Sequence, residues 1–496
     1  MTDDRELFQL ENGRYILDEQ ISEKMFYIKA AKPEDNQKED SGYSWDEAGL
    51  ADLFSECYKS DTRYCPEAKS WYTYDKGVWR KDVGALLVSE KIKEFVRLMS
   101  LYCGEIADAE KRQAYFKFIN SLGDRRRRDR LMKDATSVFP ITAAEFDRSP
   151  YLINCLNGTY DLRTMSFREH DWKDYLTMQT NFCYTLQENV TCIRWTRFID
   201  EITDGDKDKA DYLQRALGYS LLGTSKEECM FILHGKTTRN GKSTLLSTIQ
   251  HLLGDYATVS PVSIICKGDR AKNAEAASPM LASLKGKRFV TMAESNQYGK
   301  LDEETIKQLT GGEEIKARNL HEAPMTYLPQ FTLWLSCNDL PAVQDKSLFA
   351  SERIRVIEFT RHFDLNERDV TLKDTFRQDD SMTGIFTWLI EGYFKYLRFG
   401  LGMPKEMLKV IHEYEKENDV VLQFLEDKCE YSVDKSGTKA KDLYEYYKIW
   451  CKSNGYYIMN LKKFYAALNA HPEWYTDLVR RDGYLFYKNL VIKSEV

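Results

Sequence analysis

Residues 230–254, near the middle of the chain, constrain the fold more than any other segment. They read MFILHGKTTRNGKSTLLSTIQHLLG: an apolar run, a loop with glycines, and then Leu and Ile residues spaced for one face of a helix. Gly254 is well placed to end that helix. A strand, a glycine-containing loop and a helix in this order are the context that a phosphate-binding loop requires. The segment therefore predicts an α/β core with a phosphate site where a strand ends.

The residue types in this loop suit phosphate chemistry. Backbone N–H groups of the loop and of the helix N-terminus can point at a β-phosphate, and Gly241 permits close backbone approach. Lys242 would reach the β- and γ-phosphates, and the Ser243 hydroxyl would ligate Mg²⁺. We therefore expect ATP and Mg²⁺ to bind, with the nucleotide held by Gly235, Thr238, Arg239, Asn240, Gly241, Lys242, Ser243 and Thr244.

Gly235 departs from the standard spacing of such loops, because it lies one residue too early relative to Gly241. Either the loop carries one extra residue, or Gly235 only ends the strand. A chance Gly-Lys-Ser before a helix is the competing interpretation. The apolar strand before the loop and the amphipathic helix after it argue against chance.

Polar residues follow the later apolar runs. The four strand candidates alternate with helices or loops, which predicts a parallel sheet covered on its faces; they are residues 230–233, 288–293, 331–337 and 354–359. Glu294 could polarise the attacking water or order the water shell of the metal, and Asn338 could sense the γ-phosphate. Arg353 or Arg355 could stabilise transition-state charge in a neighbouring subunit. Taken singly, each is also a common surface residue or salt-bridge partner.

A basic segment follows the helix that ends at Gly311-Gly312. Residues 315–320 alternate in hydrophobicity, and Lys316, Arg318 and His321 lie on or beside a predicted hairpin. Such a hairpin could project into a pore and track a phosphate backbone. On charge pattern alone, a solvated surface loop is the favoured interpretation.

The flanking regions predict further domains. Residues 71–79 and 152–162 read as hairpins around Asp75-Lys76-Gly77 and Asn157-Gly158. In the tail, two helices and then two strands around Asp482-Gly483, within residues 478–492, suggest a winged helix. Winged domains bind duplex DNA or proteins, and the basic run at residues 125–128 could equally contact DNA or form a solvated helix face.

Bulk composition excludes several classes of protein. No apolar run approaches the ~18 residues of a membrane span, and the acidic start is unlike a secretory signal, so we expect a cytoplasmic protein. Eleven cysteines without a C-x-x-C pair predict reduced thiols rather than a zinc ribbon. The net charge of −7 counts against a passive nucleic-acid coat but allows a motor with a positive channel.

Five stretches together resemble a known family: RNGKSTLL, FVTMAES, KLDEETIKQLTGGEEIKARNLHEAP, LWLSCNDLP and SERIRVIEF. They are similar, in the same order, to superfamily-three helicases of the phage/plasmid primase family, which is related to the poxvirus primase–helicases. The flanks NGTYDLRTMSFREH, DYLQRALGYSLLG and DLYEYYKIWCKSNG resemble the regions on either side of that family's motor more weakly.

The resemblance implies an α/β fold of the AAA+ type, assembled as a ring that is usually a hexamer. Lys242 and Ser243 would bind phosphate and Mg²⁺, Glu294 would be the catalytic and metal-ordering carboxylate, and Asn338 the sensor. Arg353 or Arg355 would be the arginine finger. Lys316, Arg318 and His321 would lie on or beside the DNA-tracking hairpin.

The expected domains are an N-terminal segment (1–70), an α/β domain (71–194), a helical collar (195–225), the motor (226–403) and a winged-helix-like domain (404–496). Because only about 70 residues precede the α/β domain, we expect a helicase without a primase domain. The predicted function is an ATP-dependent replicative helicase of a phage or mobile element, translocating on single-stranded DNA in the host cytoplasm. The alternatives are an initiator that binds duplex origin DNA with little unwinding, and an AAA+ motor with a substrate other than DNA.

Overall fold

The computed structural model describes residues 8–11, 14–17, 43, 46–185, 191–267, 278–293, 300–320, 324–343, 347–433 and 437–493. Short antiparallel sheets and helices make up the first part of the chain. These elements are β1 (Phe8–Glu11), β2 (Arg14–Leu17), α1 (Glu47–Cys57), β3 (Thr62–Cys65), β4 (Ser70–Asp75), β5 (Val78–Asp82), α2 (Leu86–Tyr102), α3 (Ala109–Ser121), α4 (Arg125–Ala135), β6 (Leu152–Cys155), β7 (Gly158–Asp161) and β8 (Ser166–Arg168).

Both hairpins predicted in this part are confirmed. Strands β4 and β5 pair antiparallel with Asp75 opposite Val78, and Lys76 and Gly77 in the turn have φ angles of 47° and 83°. Two successive positive φ values match the twist of a two-residue hairpin. Strands β6 and β7 also pair antiparallel, with Cys155 opposite Gly158, so the turn is Leu156-Asn157, one residue before the predicted Asn157-Gly158.

The central part begins with two helices and continues into an α/β core. Its elements are α5 (Ile193–Ile202), α6 (Lys207–Tyr219), β9 (Met230–His234), α7 (Lys242–Leu253), β10 (Ala257–Val259), α8 (Pro279–Ala282), β11 (Phe289–Ala293), α9 (Glu303–Thr310), β12 (Ile315–Ala317), β13 (Met325–Tyr327), β14 (Thr332–Cys337), α10 (Ser347–Ala350), β15 (Ile354–Glu358), α11 (Leu372–Phe376), α12 (Asp379–Phe399) and α13 (Lys405–Glu417).

Five of these strands form one sheet in the order β10-β11-β14-β9-β15, and every neighbouring pair is parallel. The predicted parallel sheet is therefore confirmed. Alternate residues of one strand enter two different cores: Phe231 and Leu233 pack with α5–α7 and α12, whereas Met230 and Ile232 pack with α9 and the β12–β13 hairpin. Because both faces are covered, β9, β11, β14 and β15 each read as a largely continuous apolar run.

The two helices before the core are tied to the helix that follows it. Helix α6 lies against α12, where a Cβ on Gly218 would come within 2.2 Å of Tyr393 N and a Cβ on Gly392 within 2.1 Å of Gln214 O. This contact requires glycine on both helices, because the two backbones touch there. The predicted collar thus packs on the end of the predicted motor, and the domain boundaries themselves stay predictions.

The last part of the chain has a core of its own, centred on Phe424, Tyr447 and Phe464. Its elements are α14 (Val420–Lys428), β16 (Cys429–Tyr431), β17 (Thr438–Lys439), α15 (Ala440–Ser453), α16 (Leu461–Leu468), β18 (Asp477–Arg481), β19 (Tyr484–Lys488) and β20 (Leu490–Ile492). Strands β18 and β19 form the predicted hairpin around Asp482-Gly483. The prediction of two strands there was incomplete, because Asn489, with φ of 70°, separates a third strand that pairs with β16.

Two expectations from composition can be compared with the structure. Within the described ranges, every helix is too short or too polar to cross a membrane. Nine of the eleven cysteines are buried, as small apolar side chains commonly are, and the expectation of reduced thiols stays a prediction.

Candidate functional site

The loop from Gly235 to Gly241 joins β9 to α7 at the carboxyl edge of the sheet. Gly235 N–H donates to Cys337 O at 3.2 Å, so it continues the strand ladder, and the loop then folds back over it. A Cβ on Gly235 would lie 2.4 Å from Asn240 Nδ2 and 3.0 Å from Lys242 Nζ. Gly235 thus ends the strand and also leaves the space into which the returning loop packs. Six residues lie between Gly235 and Lys242, one more than in the standard loop, and the returning loop accommodates the extra residue.

Lys242 is the first residue of α7, and only 4% of its surface is exposed. Its Nζ donates to Gly235 O at 3.0 Å, to Cys337 O at 2.8 Å and to Asn338 Oδ1 at 3.2 Å. An ammonium has three N–H donors, and three oxygens accept here. The structure therefore brings together two residues that the sequence predicted separately, Lys242 and Asn338.

The remaining loop residues differ in exposure. Thr238, Arg239 and Ser243 are exposed, Thr244 is half-buried, and Asn240 is buried with its Nδ2 donating to Thr237 O at 2.6 Å. The first intrahelical bond of α7 runs from Leu245 N–H to Gly241 O, so the N–H groups before it have no partner within the helix. A helix start of this kind favours an anion.

His234 lies directly beneath the loop and is buried at the end of β9. Burial lowers the pKa of this imidazole, and the carboxylate of Glu358, 3.8 Å away, opposes that shift. The root of the loop consequently holds a neutral ring at neutral pH.

The carboxyl end of β11 reaches the same edge. Its last residue, Ala293, is in register with Ser336 of β14, which is in register with Leu233 of β9. Carboxyl ends of parallel strands converge at such an edge. Glu294 comes next in the sequence and lies outside the described residues, so its predicted catalytic role stays a prediction.

Arg353 and Arg355 lie at the opposite, amino edge of the sheet. Arg353 pairs with Glu228 at 2.5 Å and donates to Thr310 Oγ1 at 2.9 Å, with its side chain 16% exposed. Arg355 is buried and pairs with Glu352 at 3.3 Å. At about 3.3 Å per residue, the five residues of β15 separate this edge from the loop by about 15 Å. Both arginines thus lie away from the loop of their own chain, and Arg353 is the more exposed of the two.

The predicted basic hairpin is present as β12 and β13, which pair antiparallel. Lys316 is exposed and Leu320 is 66% exposed. Arg318 is half-buried; its carbonyl oxygen accepts from Ser278 N–H at 2.9 Å, and its N–H donates to Ser278 Oγ at 3.3 Å. His321 lies outside the described residues. The hairpin root is tied to the amino edge through Thr310, the last residue of α9, which contacts Arg353.

Two other basic segments have partly structural roles. In the run at residues 125–128, Arg127 pairs with Glu47 at 2.8 Å, and Arg128 donates to the carbonyl oxygens of Leu122 and Gly123 at 2.7 Å. The hydrogen bond from Arg127 lowers the pKa of Glu47. At the last hairpin, Arg480 and Arg481 are exposed on β18.

The described side chains contain no group of three or more His, Cys, Asp or Glu residues able to hold a metal ion. A magnesium ion bound with a nucleotide needs few protein ligands, because phosphates and water complete its shell. The exposed Ser243 hydroxyl in the first turn of α7 fits that requirement.

Sequence reasoning missed one feature of the site. A cavity of about 550 Å³ opens beside the loop between α5 and the segment after β15, and Phe198 and Phe363 lie in its wall. These residues belong to no motif, and only the tertiary structure brings them to the loop.

Three family models match separate parts of the chain. Residues 51–204 match "D5 N terminal like", residues 416–489 match "Poxvirus D5 protein-like", and residues 233–353 match a family of unknown function (DUF5906). These matches confirm the resemblance found in the sequence.

Relatives occur in large DNA viruses. "Putative helicase L207/L206" of Acanthamoeba polyphaga mimivirus is 28% identical over 478 residues, which cover 89% of this chain and 49% of that protein. "Putative helicase 184R" of Invertebrate iridescent virus 6 is 24% identical over 366 residues, 66% of this chain and 37% of that protein. This chain therefore spans half or less of these relatives. Among solved structures, the apo structure of the NrS-1 C terminal region has a TM-score of 0.46 and 11% identity, covering 89% of this chain and 99% of that one.

Proposed function

Because the chain belongs to the D5-like family of primase–helicases, we propose that it is an ATP-dependent DNA helicase that translocates on single-stranded DNA. The observation that carries the proposal is the buried Lys242 at the start of α7, held beside Asn338 at the carboxyl edge of the sheet. A strand, a loop and a helix start form a phosphate cradle there, and Gly235 leaves the room for it. The function named for the viral relatives supports nucleic acid as the substrate.

The proposed chemistry is phosphoryl transfer from ATP to water. Lys242 binds the β- and γ-phosphates, the loop N–H groups orient them, and Ser243 ligates Mg²⁺, which when bound neutralises developing charge. Glu294, next after β11, acts as the catalytic carboxylate, and Asn338 senses the γ-phosphate. Lys242 and Asn338 already share a hydrogen bond, so both can respond to the same phosphate.

The proposed assembly is a ring, usually a hexamer, of AAA+-type motors. Arg353 lies on the rim opposite the loop, where a neighbouring subunit can receive it. In this arrangement each site takes Lys242 from one chain and Arg353 from the next. The proposed domains are residues 71–194, a collar at 195–225, the motor at 226–403 and a winged-helix-like domain at 404–496, with residues 1–70 preceding them.

DNA contact is proposed at two places. Lys316 is exposed on the β12–β13 hairpin, with Arg318 and His321 next to it in sequence, and this hairpin would follow the phosphates of a single strand. The β18–β19 hairpin exposes Arg480 and Arg481, as a wing that contacts duplex DNA would. That wing is also what an origin-binding initiator would use, so initiation by the same chain is the second candidate function.

The first experiment compares ATP hydrolysis with and without single-stranded DNA in the wild type, in Lys242→Ala and in Lys207→Ala. We expect DNA to stimulate hydrolysis in the wild type, and loss of Lys242 to lower turnover by at least about a hundredfold, because the γ-phosphate loses its cation. Lys207, with a side chain 80% exposed on α6, is the matched control and should change little.

Full activity of Lys242→Ala would refute the phosphate site. If hydrolysis depended on Lys242 but did not respond to DNA, the phosphate site would be supported and the helicase function would be refuted. Strand displacement by the wild type then separates a helicase from an initiator with little unwinding.

A further inference from the structure

The last three-stranded sheet of the chain, β17-β19-β18, packs one of its two faces on the C-terminal core. Tyr487 of β19 is buried in that core, and Leu485 packs against it. Successive residues of a strand point to opposite faces of a sheet. Tyr484, Phe486 and Lys488 of the same strand therefore lie on the other face, which points away from the core.

The pairing register brings cations to this second face. On one side of β19, Arg481 lies opposite Tyr484 and Val479 lies opposite Phe486. On the other side, Lys439 of β17 lies opposite Phe486. Side chains directly opposite each other share a face of the sheet. The outer face, as we call it, consists of Lys439, Val479, Arg481, Tyr484, Phe486 and Lys488.

Two aromatic rings and an ammonium group form the centre of the outer face. Lys439 Nζ lies 4.4 Å from the ring centroid of Tyr484 and 5.9 Å from that of Phe486, and Tyr484 is nevertheless 51% exposed. The two aromatic residues are about 7 Å apart along β19, at about 3.4 Å per residue. Stacked bases of a duplex rise by about 3.4 Å each, so a strand that places one base on each ring must have its bases separated.

The charges around the rings suit a phosphate backbone. Lys439, Arg481 and Lys488 are positive, and Asp477, opposite Lys488 at the end of the face away from Tyr484, is negative. Proteins bind single strands with this combination of groups, because aromatic rings stack on bases of any sequence while cations contact the phosphates. In a duplex the base faces are stacked on one another, so the rings would gain a base only by unpairing it.

The position of Arg480 separates the outer face from a duplex contact at the hairpin tip. Arg480 is exposed, but it lies opposite Leu485 and therefore on the core side of the hairpin. A duplex that touches the tip can use both Arg480 and Arg481. A strand that lies on the outer face meets Arg481 and not Arg480.

We propose that the outer face binds unpaired bases of single-stranded DNA, with Tyr484 and Phe486 as the stacking surface and Lys439 and Arg481 at the phosphates. The inference rests on the proposed function, because its ligand is the strand on which the motor would move. It adds a contact for that strand in the C-terminal part of the chain, far in sequence from Lys242, so binding there needs no ATP.

The test measures DNA affinity of the full chain without nucleotide, by fluorescence anisotropy. The probes are labelled oligothymidine, which has unpaired bases, and a labelled duplex of the same length. Lys316→Ala is the starting chain, so that the contact proposed for the β12–β13 hairpin contributes less. In this chain, Tyr484→Ala should weaken oligothymidine binding about tenfold, because one stacking ring is lost, and change duplex affinity by less than about twofold.

Two further variants control for the ring and for its exposure. Tyr484→Phe retains the ring and should retain the oligothymidine affinity. Tyr446→Ala removes the same kind of side chain at a position that is 50% exposed on α15. Helix α15 packs on the core side of the sheet, where its Tyr447 shares the core with Tyr487, so Tyr446→Ala should leave oligothymidine binding unchanged.

A second pair of variants tests the charges. Arg481→Ala should reduce the slope of log oligothymidine affinity against log salt by about 0.7, the value for one phosphate contact on a single strand. Arg480→Ala, at the exposed neighbour on the core side, should leave that slope unchanged. Equal effects of the two variants would indicate a contact at the hairpin tip and would overturn the proposal.

The remaining outcomes distinguish the outer face from the proposed function. Unchanged oligothymidine affinity in Tyr484→Ala, or equal weakening of oligothymidine and duplex, would overturn the stacking surface. Loss of all oligothymidine binding in the Lys316→Ala starting chain would also overturn it, while the proposed helicase would stand. If the wild type bound no single strand, the proposed function would fail and the outer face would fail with it.

Discussion

At the carboxyl edge of the parallel sheet the described oxygens around Lys242 Nζ are neutral, whereas at the amino edge Arg353 meets the carboxylate of Glu228. The first arrangement is made mainly of backbone, with Gly235 and Cys337 supplying carbonyl oxygens. The second is a rim of ion pairs between side chains. Backbone N–H groups at a helix start favour a bound anion, while the paired rim is suited to exchange one carboxylate for another anion. This difference supports the proposal that phosphate binds at the carboxyl edge and that a neighbouring subunit contacts the amino edge.

A substitution at the amino edge is expected to have the largest effect on ATP turnover. Arg353→Ala should lower ATP turnover of the assembled ring by about a thousandfold, as removal of an arginine finger does. Mixing it with Lys242→Ala chains should restore part of the activity, because some interfaces then combine an intact Lys242 with an intact Arg353. Turnover of the mixtures as a function of their ratio is the measurement.

The ion pair itself provides the control for that experiment. Glu228→Gln breaks the pair with Arg353 and leaves the guanidinium in place, so turnover should stay within about fivefold. If Glu228→Gln were as damaging as Arg353→Ala, the pair would be structural. If no mixture of Arg353→Ala and Lys242→Ala chains recovered ATP turnover, that result would also indicate a structural role for the pair.

The carboxyl edge is tested by adding one methyl group. Gly235→Ala would place a Cβ 2.4 Å from Asn240 Nδ2 and 2.8 Å from Phe359 O, and the second atom is backbone, which cannot swing away. We expect the free energy of unfolding to fall by about 1–3 kcal/mol and ATP affinity to fall with it. Urea denaturation and calorimetric titration measure the two effects.

Gly104→Ala is the matched control, because nothing lies within 4 Å of a Cβ there. Its free energy of unfolding should change by less than about 0.5 kcal/mol. Normal ATP affinity in a folded Gly235→Ala protein would mean that the loop reaches phosphate by another path.

The strands of the parallel sheet show which parts of the fold could be predicted from the sequence. Strands β9, β11, β14 and β15 could be predicted because burial on both faces makes each a continuous apolar run. Strand β10 was missed, since its three residues are not buried and carry no such run. The Lys-Gly and Asp-Gly turns predicted their hairpins because two positive φ angles favour those residues.

In the candidate site, too, some features could be predicted from the sequence and others could not. The sequence predicted Lys242 and Asn338 separately as site residues, and they meet because parallel strands and their loops converge at one edge. The bond from Lys242 to Cys337 O could not be predicted, since any residue supplies a carbonyl. The ion pair between Arg194 and Asp369 joins residues 175 positions apart in the sequence. Asp369 lies in the segment between β15 and α11, which has no periodic pattern, so no local sequence signal predicts the pair.

The β12–β13 hairpin, for which we propose a DNA contact, follows α9, whose last residue Thr310 contacts Arg353 at the amino edge. Lys316→Ala should lower DNA-stimulated turnover several-fold, leave basal hydrolysis intact and reduce the slope of log affinity against log salt by about 1. Thr326, which lies opposite Lys316 in the register and is also exposed, supplies the control variant Thr326→Ala. Equal loss of basal and stimulated turnover would show that Lys316 supports the motor rather than a DNA contact.

The smallest expected effect concerns His234, beneath the loop at the carboxyl edge. Burial lowers its pKa below the usual value of about 6.5, so the folded chain keeps the ring neutral while the unfolded chain takes up a proton. Its contribution to stability is therefore complete above about pH 6.5 and is lost as the pH falls through the lowered pKa. His234→Gln carries no titrating ring and should lose less stability between pH 7.5 and pH 5.5 than the wild type. Urea midpoints at these two pH values measure the difference; identical losses would show that other groups, such as the similarly shifted His170 and His251, dominate the acid response.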